Sequence, residues 1–164
     1  MPTPQTEKEF FALYGRFAYQ EAGGGRILVT DNWVAKNLVT DVLLRLVGKH
    51  TLHKAIKDDV VAIFGEIAAL KLPILNPAYS GPIHWDGCYV PRHKSWNPKK
   101  NLSIHSWGCA VDLNAAENPM GAEGKMDMRI VEIFEKYGWT WGGRWKGKNK
   151  DPMHFQACAT LVGI

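Results

Sequence analysis

Two stretches of the chain carry residue types that bind metal ions in proteins. In the first, His105 and Asp112 lie seven residues apart with Gly108 between them. In the second, His154 lies within the segment Asp-Pro-Met-His-Phe-Gln at 151–156. Two imidazoles and one carboxylate are a ligand set that suits zinc and leaves a fourth position open for water. This composition is typical of a catalytic metal site rather than a structural one.

The separation of His105 and Asp112 requires a bend in the backbone between them. On one helix, the two residues would stand ~10.5 Å apart along the axis, which is too far for convenient shared coordination. On one regular strand, an odd separation would place them on opposite faces. Gly108 can supply the bend, and Ala110 and Asp112 would then share one face of a strand that follows it.

The second stretch is predicted to be extended, because Pro152 disfavours a helical conformation at the residue before it. In an extended segment, Met153 and Phe155 point to the core, while His154 and Gln156 point to the opposite face. We expect that face to be the one that carries the first two candidate ligands.

Four other histidines are alternative ligands. His50 and His53 lie three residues apart on a possible helix, and His84 and His93 lie in a proline-rich region. A histidine or an aspartate taken alone is more often simply hydrogen-bonded within a fold. The spacing by itself therefore leaves the ligand set open.

The elements that must position these residues are predicted from hydrophobic periodicity. A helix is predicted from about Thr6 to Gln20, followed by three glycines and a short strand at 27–29. A second helix starts at Asp58 and Asp59 and ends before Pro73. Its apolar stripe consists of Val60, Ile63, Phe64, Ile67 and Leu70.

The remaining elements are predicted in the same way. A helix is predicted over Asp127–Tyr137, followed by an extended segment at 139–141 and a loop rich in Gly and Lys. Residues 33–47 fit neither period well, and the mixture of Val, Thr and Leu favours an extended conformation. The five prolines from Pro73 to Lys100 indicate strand pieces joined by long loops, which often carry functional residues.

The size and composition of the chain indicate one domain over residues 1–164. Its 164 residues are 46% apolar, which is enough for a buried core. The net charge of +4 is compatible with several partners, since net charge reports on association and not on fold. We expect no nucleic-acid binding, because no aromatic and basic motif accompanies the lysine clusters. These clusters are Lys94, Lys99 and Lys100, and Lys146, Lys148 and Lys150.

The cysteines and the N-terminus bear on the cellular compartment. Cys88, Cys109 and Cys158 form an odd set without a C-x-x-C pair, which favours buried free thiols over disulfides or a zinc knuckle. The N-terminus has no basic start followed by an apolar run, and no stretch reaches ~18 apolar residues. We therefore expect a protein that is made in the cytoplasm without a signal peptide and does not insert into membranes. We also expect a monomer.

An ordered set of motifs resembles one family of enzymes. The pattern S-x-H-x-x-G-x-A-x-D at 103–112, followed by D-x-x-H at 151–154, resembles the zinc D-alanyl-D-alanine carboxypeptidase and L-alanyl-D-glutamate endopeptidase family, many of whose members are phage endolysins. The segment 87–92 is similar to that family's substrate-loop arginine segment, and 138–145 to its late Gly-Trp-rich strand and loop. The resemblance extends over about 60–156.

The resemblance implies a fold and a cofactor. The fold is α+β, with a small antiparallel sheet and packed helices, similar to the hedgehog and DD-peptidase type of zinc peptidase. The implied ligands of one Zn²⁺ per chain are His105, Asp112 and His154. The implied substrate is the stem peptide of bacterial peptidoglycan, which an enzyme made in a bacterial host reaches only after release from the cytoplasm.

The resemblance also implies three further roles. Asp151 is implied as the base that takes a proton from water and passes it to the leaving amine. Arg92 is implied to contact the substrate, either at the carbonyl oxygen that becomes an anion or at a carboxylate. Ser103 is implied either to donate a hydrogen bond to the substrate or to hold the local structure.

Two departures from the family pattern affect the expected specificity. Carboxypeptidase members usually carry Glu where this chain has Asp151, which favours the endopeptidase branch and an L-alanyl-D-glutamate bond over a D-alanyl bond. The family often has Glu where this chain has Gln156, so the resemblance assigns no role to that residue. The alternative to an enzyme is a zinc-fold binding module. Such a module need not retain Asp151, so the presence of this residue favours an enzyme.

Overall fold

The structure is a computed structural model that describes residues 2–75 and 87–161. In those residues, short helices combine with three small antiparallel sheets, so the predicted α+β class is confirmed. The helices are α1 (Glu7–Tyr14), α2 (Trp33–Asn37), α3 (Lys57–Ala69) and α4 (Met128–Lys136). The strands are β1 (Tyr19–Gly23), β2 (Arg26–Val29), β3 (Leu38–Leu44), β4 (Gly48–His53), β5 (Ala110–Asp112), β6 (Thr140–Trp141) and β7 (His154–Gln156). Within these described ranges, every helix is too short or too polar to cross a membrane.

Helix α1 is shorter than predicted. It begins with a capping box, in which the Thr6 hydroxyl accepts from the Glu9 backbone and the Glu9 carboxylate accepts from the Thr6 backbone. Gly15 ends the helix at a φ of 80°. The predicted continuation to Gln20 is wrong, because the chain beyond Gly15 pairs as β1 with β2.

The segment predicted to be extended at 33–47 divides into two elements. Residues 33–37 form α2, so the extended interpretation is wrong there, whereas β3 is extended and pairs with β4. His50 and His53 lie on β4 and not on a helix, which corrects the helical alternative. Strand pairing with β3 determines this conformation, and a local pattern could not reveal it.

Helices α3 and α4 form much of the core, as predicted. The stripe of α3 is buried except at Leu70, which lies past the last helical turn and is 59% exposed. In α4, Asp127 caps the N-terminus, and Phe134 packs edge-on against Phe64 of α3. Phe134 also stacks on Phe155 of β7 with ring centroids 4.1 Å apart, so α4 directly supports the strand that carries His154.

The sheet that carries the candidate ligands has the order β5-β7-β6 with antiparallel pairing. Asp112 pairs with His154, and Ala110 pairs with Gln156. Paired residues in a sheet project their side chains from the same face. The predicted alternation of both stretches is therefore confirmed by the register, and Phe155 is buried on the opposite side as expected.

The proline-rich region contains little regular structure in its described part. Residues 94–96 form a single 3₁₀ turn, and two isolated bridges join Arg26 to Arg92 and His93 to Leu102. Predicted strand pieces are therefore reduced to bridges in this part. His84 and the rest of 76–86 lie outside the described residues.

The three cysteines are buried free thiols, as predicted. Burial raises the pKa of the Cys88 thiol to about 12, so this side chain stays protonated and inert at neutral pH.

His53 is a core residue. Its ring packs edge-on against Tyr14 and lies against Trp33, and its Nδ1 accepts a hydrogen bond from the Ala55 backbone at 3.1 Å. Burial lowers the pKa of His53 from 6.5 to about 4. The fold thus selects the neutral imidazole.

This preference predicts an acid-sensitive stability. The unfolded chain binds a proton that folded His53 rejects. The free energy of unfolding is therefore unaffected by this group above pH 6.5 and falls by about 3 kcal/mol as the pH falls toward 4. Urea unfolding of the wild type and of His53→Gln should be compared at several pH values, both with a chelator. The stability advantage of the wild type should shrink on acidification. A constant advantage between pH 7 and pH 4.5 would contradict the assignment.

Candidate metal centre

Three buried side chains from different elements converge on one point. His105 comes from a 3₁₀ turn at Ile104–Trp107, Asp112 from the end of β5 and His154 from the start of β7. One ligand atom from each lies within 4.8 Å of the other two, and each residue is at most 7% exposed. Among the described residues, this is the group that can hold a metal ion.

The bend predicted between His105 and Asp112 is present. Gly108 adopts the left-handed conformation with φ 66°, and its N–H donates to the His105 carbonyl at 3.0 Å. A Cβ at this position would also lie 3.0 Å from the His53 backbone nitrogen. Glycine is therefore required both by the backbone conformation and by the close approach of β4.

The protonation pattern of His105 follows from its outer contact. Its Nδ1 lies 3.0 Å from the Cys88 carbonyl oxygen, which can only accept, so Nδ1 carries the proton. The Nε2 lone pair then faces Oδ2 of Asp112 at 3.2 Å. This buried nitrogen has no hydrogen-bond partner among the described residues.

The tautomer of His154 follows in the same way from its contact with Gln156. The Gln156 amide nitrogen donates to the carbonyls of Ala159 at 2.9 Å and Cys158 at 3.4 Å, so its oxygen must point the other way. That oxygen lies 3.0 Å from Nε2 of His154, which therefore donates. Nδ1 of His154 is left to face Oδ1 of Asp112 at 3.1 Å.

The centre thus brings together hydrogen-bond acceptors, and the described part of the chain places no hydrogen-bond donor between them. Two imidazole lone pairs face one carboxylate inside the protein, an arrangement that is costly without a cation between them. The electrostatics agree, since His105 and His154 hold the pKa of Asp112 well below its usual range against the effect of burial. Burial opposes a positive charge on His154, but the Asp112 carboxylate raises the pKa of His154 overall, which shows that this centre favours a cation. As metal ligands, two imidazole nitrogens and one carboxylate fit zinc.

Asp151 lies beside this centre. Its N–H donates to the Gly142 carbonyl at 3.0 Å, and its own carbonyl accepts from the His154 N–H at 3.1 Å. A Cβ on Gly142 would come 2.4 Å from the Asp151 carbonyl oxygen, so a glycine is needed at this contact. The buried Oδ1 of Asp151 has no hydrogen-bond partner among the described residues. Burial raises the pKa of Asp151 to about 6, although His154 opposes the shift.

Arg92 is fixed alongside the His105 turn. The Ser106 hydroxyl accepts from the Arg92 N–H at 3.0 Å and donates to its carbonyl at 2.9 Å. The guanidinium lies 4.9 Å above the ring of Trp96. Burial lowers the pKa of Arg92, while the charges of Asp112 and Asp151 raise it, which places this cation within electrostatic reach of the centre.

Ser103 has a visible structural task. It is buried, and its hydroxyl accepts from the His105 N–H at 3.4 Å at the start of the 3₁₀ turn. This contact helps to orient the His105 segment. A hydrogen bond from Ser103 to a substrate stays a prediction.

The described alternative histidines lie outside the ligand group. His50 contacts the Val47 carbonyl at 2.9 Å through Nε2. His93 donates from Nδ1 to the Lys100 carbonyl at 2.6 Å, and its Nε2 lies 2.8 Å from a carboxylate oxygen of Glu21. These contacts and the core position of His53 account for all three side chains.

Two neighbours of the centre were not assigned a role from the sequence. Gln156 selects the His154 tautomer, and the signal for it was the alternation that puts both residues on one face of β7. Trp145 lies with its ring centroid 5.6 Å from that of His154 and forms a wall beside it. No local pattern indicates this contact, because it depends on the course of the loop after β6.

The contacts of Gln156 predict its contribution to metal affinity. Gln156→Leu removes the acceptor that holds the His154 proton on Nε2, so the ring is free to turn or change tautomer, and Zn²⁺ affinity should fall about 10- to 100-fold. Gln156→Glu keeps an acceptor for the ring, so it should lose less affinity than Gln156→Leu, although its negative charge favours a proton on His154 in competition with the metal. Competition titration with a chromogenic chelator measures both. Equal affinities for Gln156→Leu and the wild type would contradict the orienting role.

Comparison with known proteins adds a partial match. Residues 96–157 match the family model described as D-alanyl-D-alanine carboxypeptidase. This range is well under half of the chain, and it includes the three candidate ligands and Asp151 but not Arg92. Neither the curated proteins nor the solved structures give a significant match. At the level of the family, the match supports a zinc peptidase that acts on peptidoglycan.

Proposed function

We propose that this protein is a zinc peptidase that hydrolyses an amide bond in the stem peptide of peptidoglycan, with the L-alanyl-D-glutamate bond as the first candidate. The observation that carries the proposal is the convergence of two imidazole lone pairs on the Asp112 carboxylate, beside Asp151, whose buried Oδ1 has no hydrogen-bond partner in the part of the chain that the structure describes. The partial family match supports the same class of reaction.

Each residue has a task in such a hydrolysis. His105, Asp112 and His154 would hold the zinc ion. Zinc, when bound, supplies the Lewis acidity that makes water reactive near neutral pH. The outer hydrogen bonds of the two imidazoles fix which nitrogen of each ring meets the metal.

Asp151 is suited to move the proton. A general base works best when its pKa lies near the working pH, and burial raises that of Asp151 to about 6. It accepts a proton from the attacking water and returns it to the departing amine. The backbone contacts of Asp151 with Gly142 and His154 hold it beside the ligands while it does so.

Arg92 and Trp145 are suited to hold the substrate. The Arg92 guanidinium offers forked donors to the carbonyl oxygen that becomes an anion, or to a substrate carboxylate. The Trp145 ring beside His154 excludes water from one side of the reacting group.

There are two alternatives to this proposal. Cleavage of a D-alanyl-D-alanine bond is favoured by the description of the matching family, whereas Asp151 in place of the usual Glu favours the endopeptidase. A non-catalytic zinc-fold module is the second alternative. It gives no reason for a carboxylate next to the metal ligands whose buried Oδ1 has no hydrogen-bond partner among the described residues, so we favour an enzyme.

We further propose the setting in which the protein works. It acts as a single-domain monomer, is made in the cytoplasm of a bacterial host and reaches the cell wall after release by another factor. Its partner is the stem peptide and not a nucleic acid or a membrane.

The bond itself can be identified from reaction products. Digestion of purified peptidoglycan should release new amino groups on D-glutamate and leave the number of glycan reducing ends unchanged. Mass spectrometry of the fragments, with Asp151→Asn as the inactive control, decides between the bonds. Free D-alanine would instead support the carboxypeptidase, and new reducing ends would refute a peptidase.

Two aspartates at the centre should respond differently to substitution. Asp112→Ala removes a ligand, so it should weaken Zn²⁺ binding and remove the stabilisation that zinc gives against heat. Asp151→Asn keeps the shape of the side chain, so it should retain zinc while kcat falls at least about 100-fold. Elemental analysis, thermal unfolding and turnover distinguish the two. Near-normal turnover by Asp151→Asn, or loss of zinc from it, would exclude Asp151 as the base.

A further inference from the structure

The β1–β2 hairpin, in residues that the family match does not cover, is attached to the segment that carries Arg92. The Ile27 N–H donates to the Pro91 carbonyl at 3.2 Å, and the His93 N–H donates to the Gly25 carbonyl at 2.8 Å. These two bonds enclose an isolated bridge between Arg26 and Arg92. The hairpin is therefore joined directly to the segment that carries Arg92.

Two guanidinium groups meet at one indole as a result. Arg26 lies 5.4 Å and Arg92 lies 4.9 Å from the centroid of the Trp96 ring, so the two cations are within about 10 Å of each other. Within residues 2–75 and 87–161, neither forms an ion pair with a carboxylate. Glu21, the acidic residue of the hairpin, contacts His93 instead. In these residues, therefore, no direct ion pair neutralises the positive charge at Trp96.

The placement of Trp96 is maintained at a cost in backbone energy. Ser95 and Trp96 both adopt positive φ, at 54° and 55°, which costs roughly 1–2 kcal/mol for each L residue. Gly25 has φ 76°, and a Cβ there would lie 2.2 Å from the Trp96 carbonyl oxygen. The hairpin turn and the Trp96 turn therefore fit together only with glycine at this position.

The cluster is continuous with the metal centre. Ser106, the neighbour of His105 in the 3₁₀ turn, holds the Arg92 backbone through two hydrogen bonds. Arg92 in turn interacts electrostatically with Asp112 and Asp151. Arg92 therefore connects the metal centre with Trp96 and Arg26.

We propose that Arg26, Trp96 and Arg92 form a subsite for a carboxylate-bearing part of the peptide substrate. The guanidinium groups bind the carboxylate, and the indole face packs against the aliphatic carbons next to it. This inference rests on the proposed function and adds Arg26, from the N-terminal hairpin, as a determinant of substrate specificity.

The experiment compares two synthetic stem tripeptides, L-alanyl-γ-D-glutamyl-diaminopimelate with free carboxylates and the same peptide with its carboxylates converted to amides. Calorimetry with zinc-loaded Asp151→Asn protein measures binding in the absence of turnover. We expect the free acid to bind at least 10-fold more tightly than the amide. Adding Arg26→Met should reduce this preference to about 2-fold or less and leave binding of the amide unchanged. Arg26→Lys should reduce the preference only in part.

Arg16→Met is the matched control, because Arg16 also packs its guanidinium on a ring, at 3.4 Å from the Phe11 centroid. It should not change the preference. Three results would overturn the subsite. The protein with Arg26 could bind the free acid no more tightly than the amide, Arg26→Met and Arg16→Met could reduce this preference equally, or Arg26→Met could weaken the binding of both peptides to the same extent. Binding and cleavage are measured separately, so the two proposals can fail separately. If the wild type cleaves no wall peptide but the binding preference still depends on Arg26, the proposed function is refuted and the subsite is retained.

Discussion

The organisation of the centre depends on one carboxylate with an imidazole on each side. Asp112 faces Nε2 of His105 and Nδ1 of His154 at 3.2 and 3.1 Å, and the outer nitrogen of each ring is committed to a different acceptor. Those outer acceptors, the Cys88 carbonyl and the Gln156 amide, point both lone pairs inward. Three acceptors that face each other in a buried space repel unless a cation joins them, so the fold alone creates the demand for a metal ion.

The surrounding structure serves to hold this unfavourable arrangement. The β5–β7 pairing sets Asp112 opposite His154, while Phe155 on the other face of β7 stacks on Phe134 of α4. Burying an aromatic side chain contributes on the order of 2–3 kcal/mol, and several such residues lie under the sheet. Apolar packing behind the sheet thus offsets the cost of the polar cluster in front of it.

Sequence patterns could predict the parts that depend on local periodicity. The alternation around Asp112 and His154 indicated their shared face, and the stripes of α3 and α4 indicated the core. The end of α1 could not be predicted from its apolar spacing, because Gly15 and the pairing of β1 with β2 end it. The same holds for His50 and His53, whose strand conformation depends on β3, and for the contact of Arg26 with Trp96, which joins residues distant in the chain.

The amide at Gln156 illustrates why residue identity beyond the ligands matters. The centre contains Asp112, and Asp151 adds a second acidic group beside it, which burial partly neutralises by raising its pKa to about 6. A glutamate at 156 would add a third acidic group in contact with His154 and would favour a proton on that imidazole, in competition with a metal. The neutral amide orients the ring equally well, because its nitrogen is satisfied by the Ala159 and Cys158 carbonyls. Gln156 thus provides the orientation of His154 without adding charge, and leaves Asp151 as the acidic group beside the ligands that is free to exchange a proton.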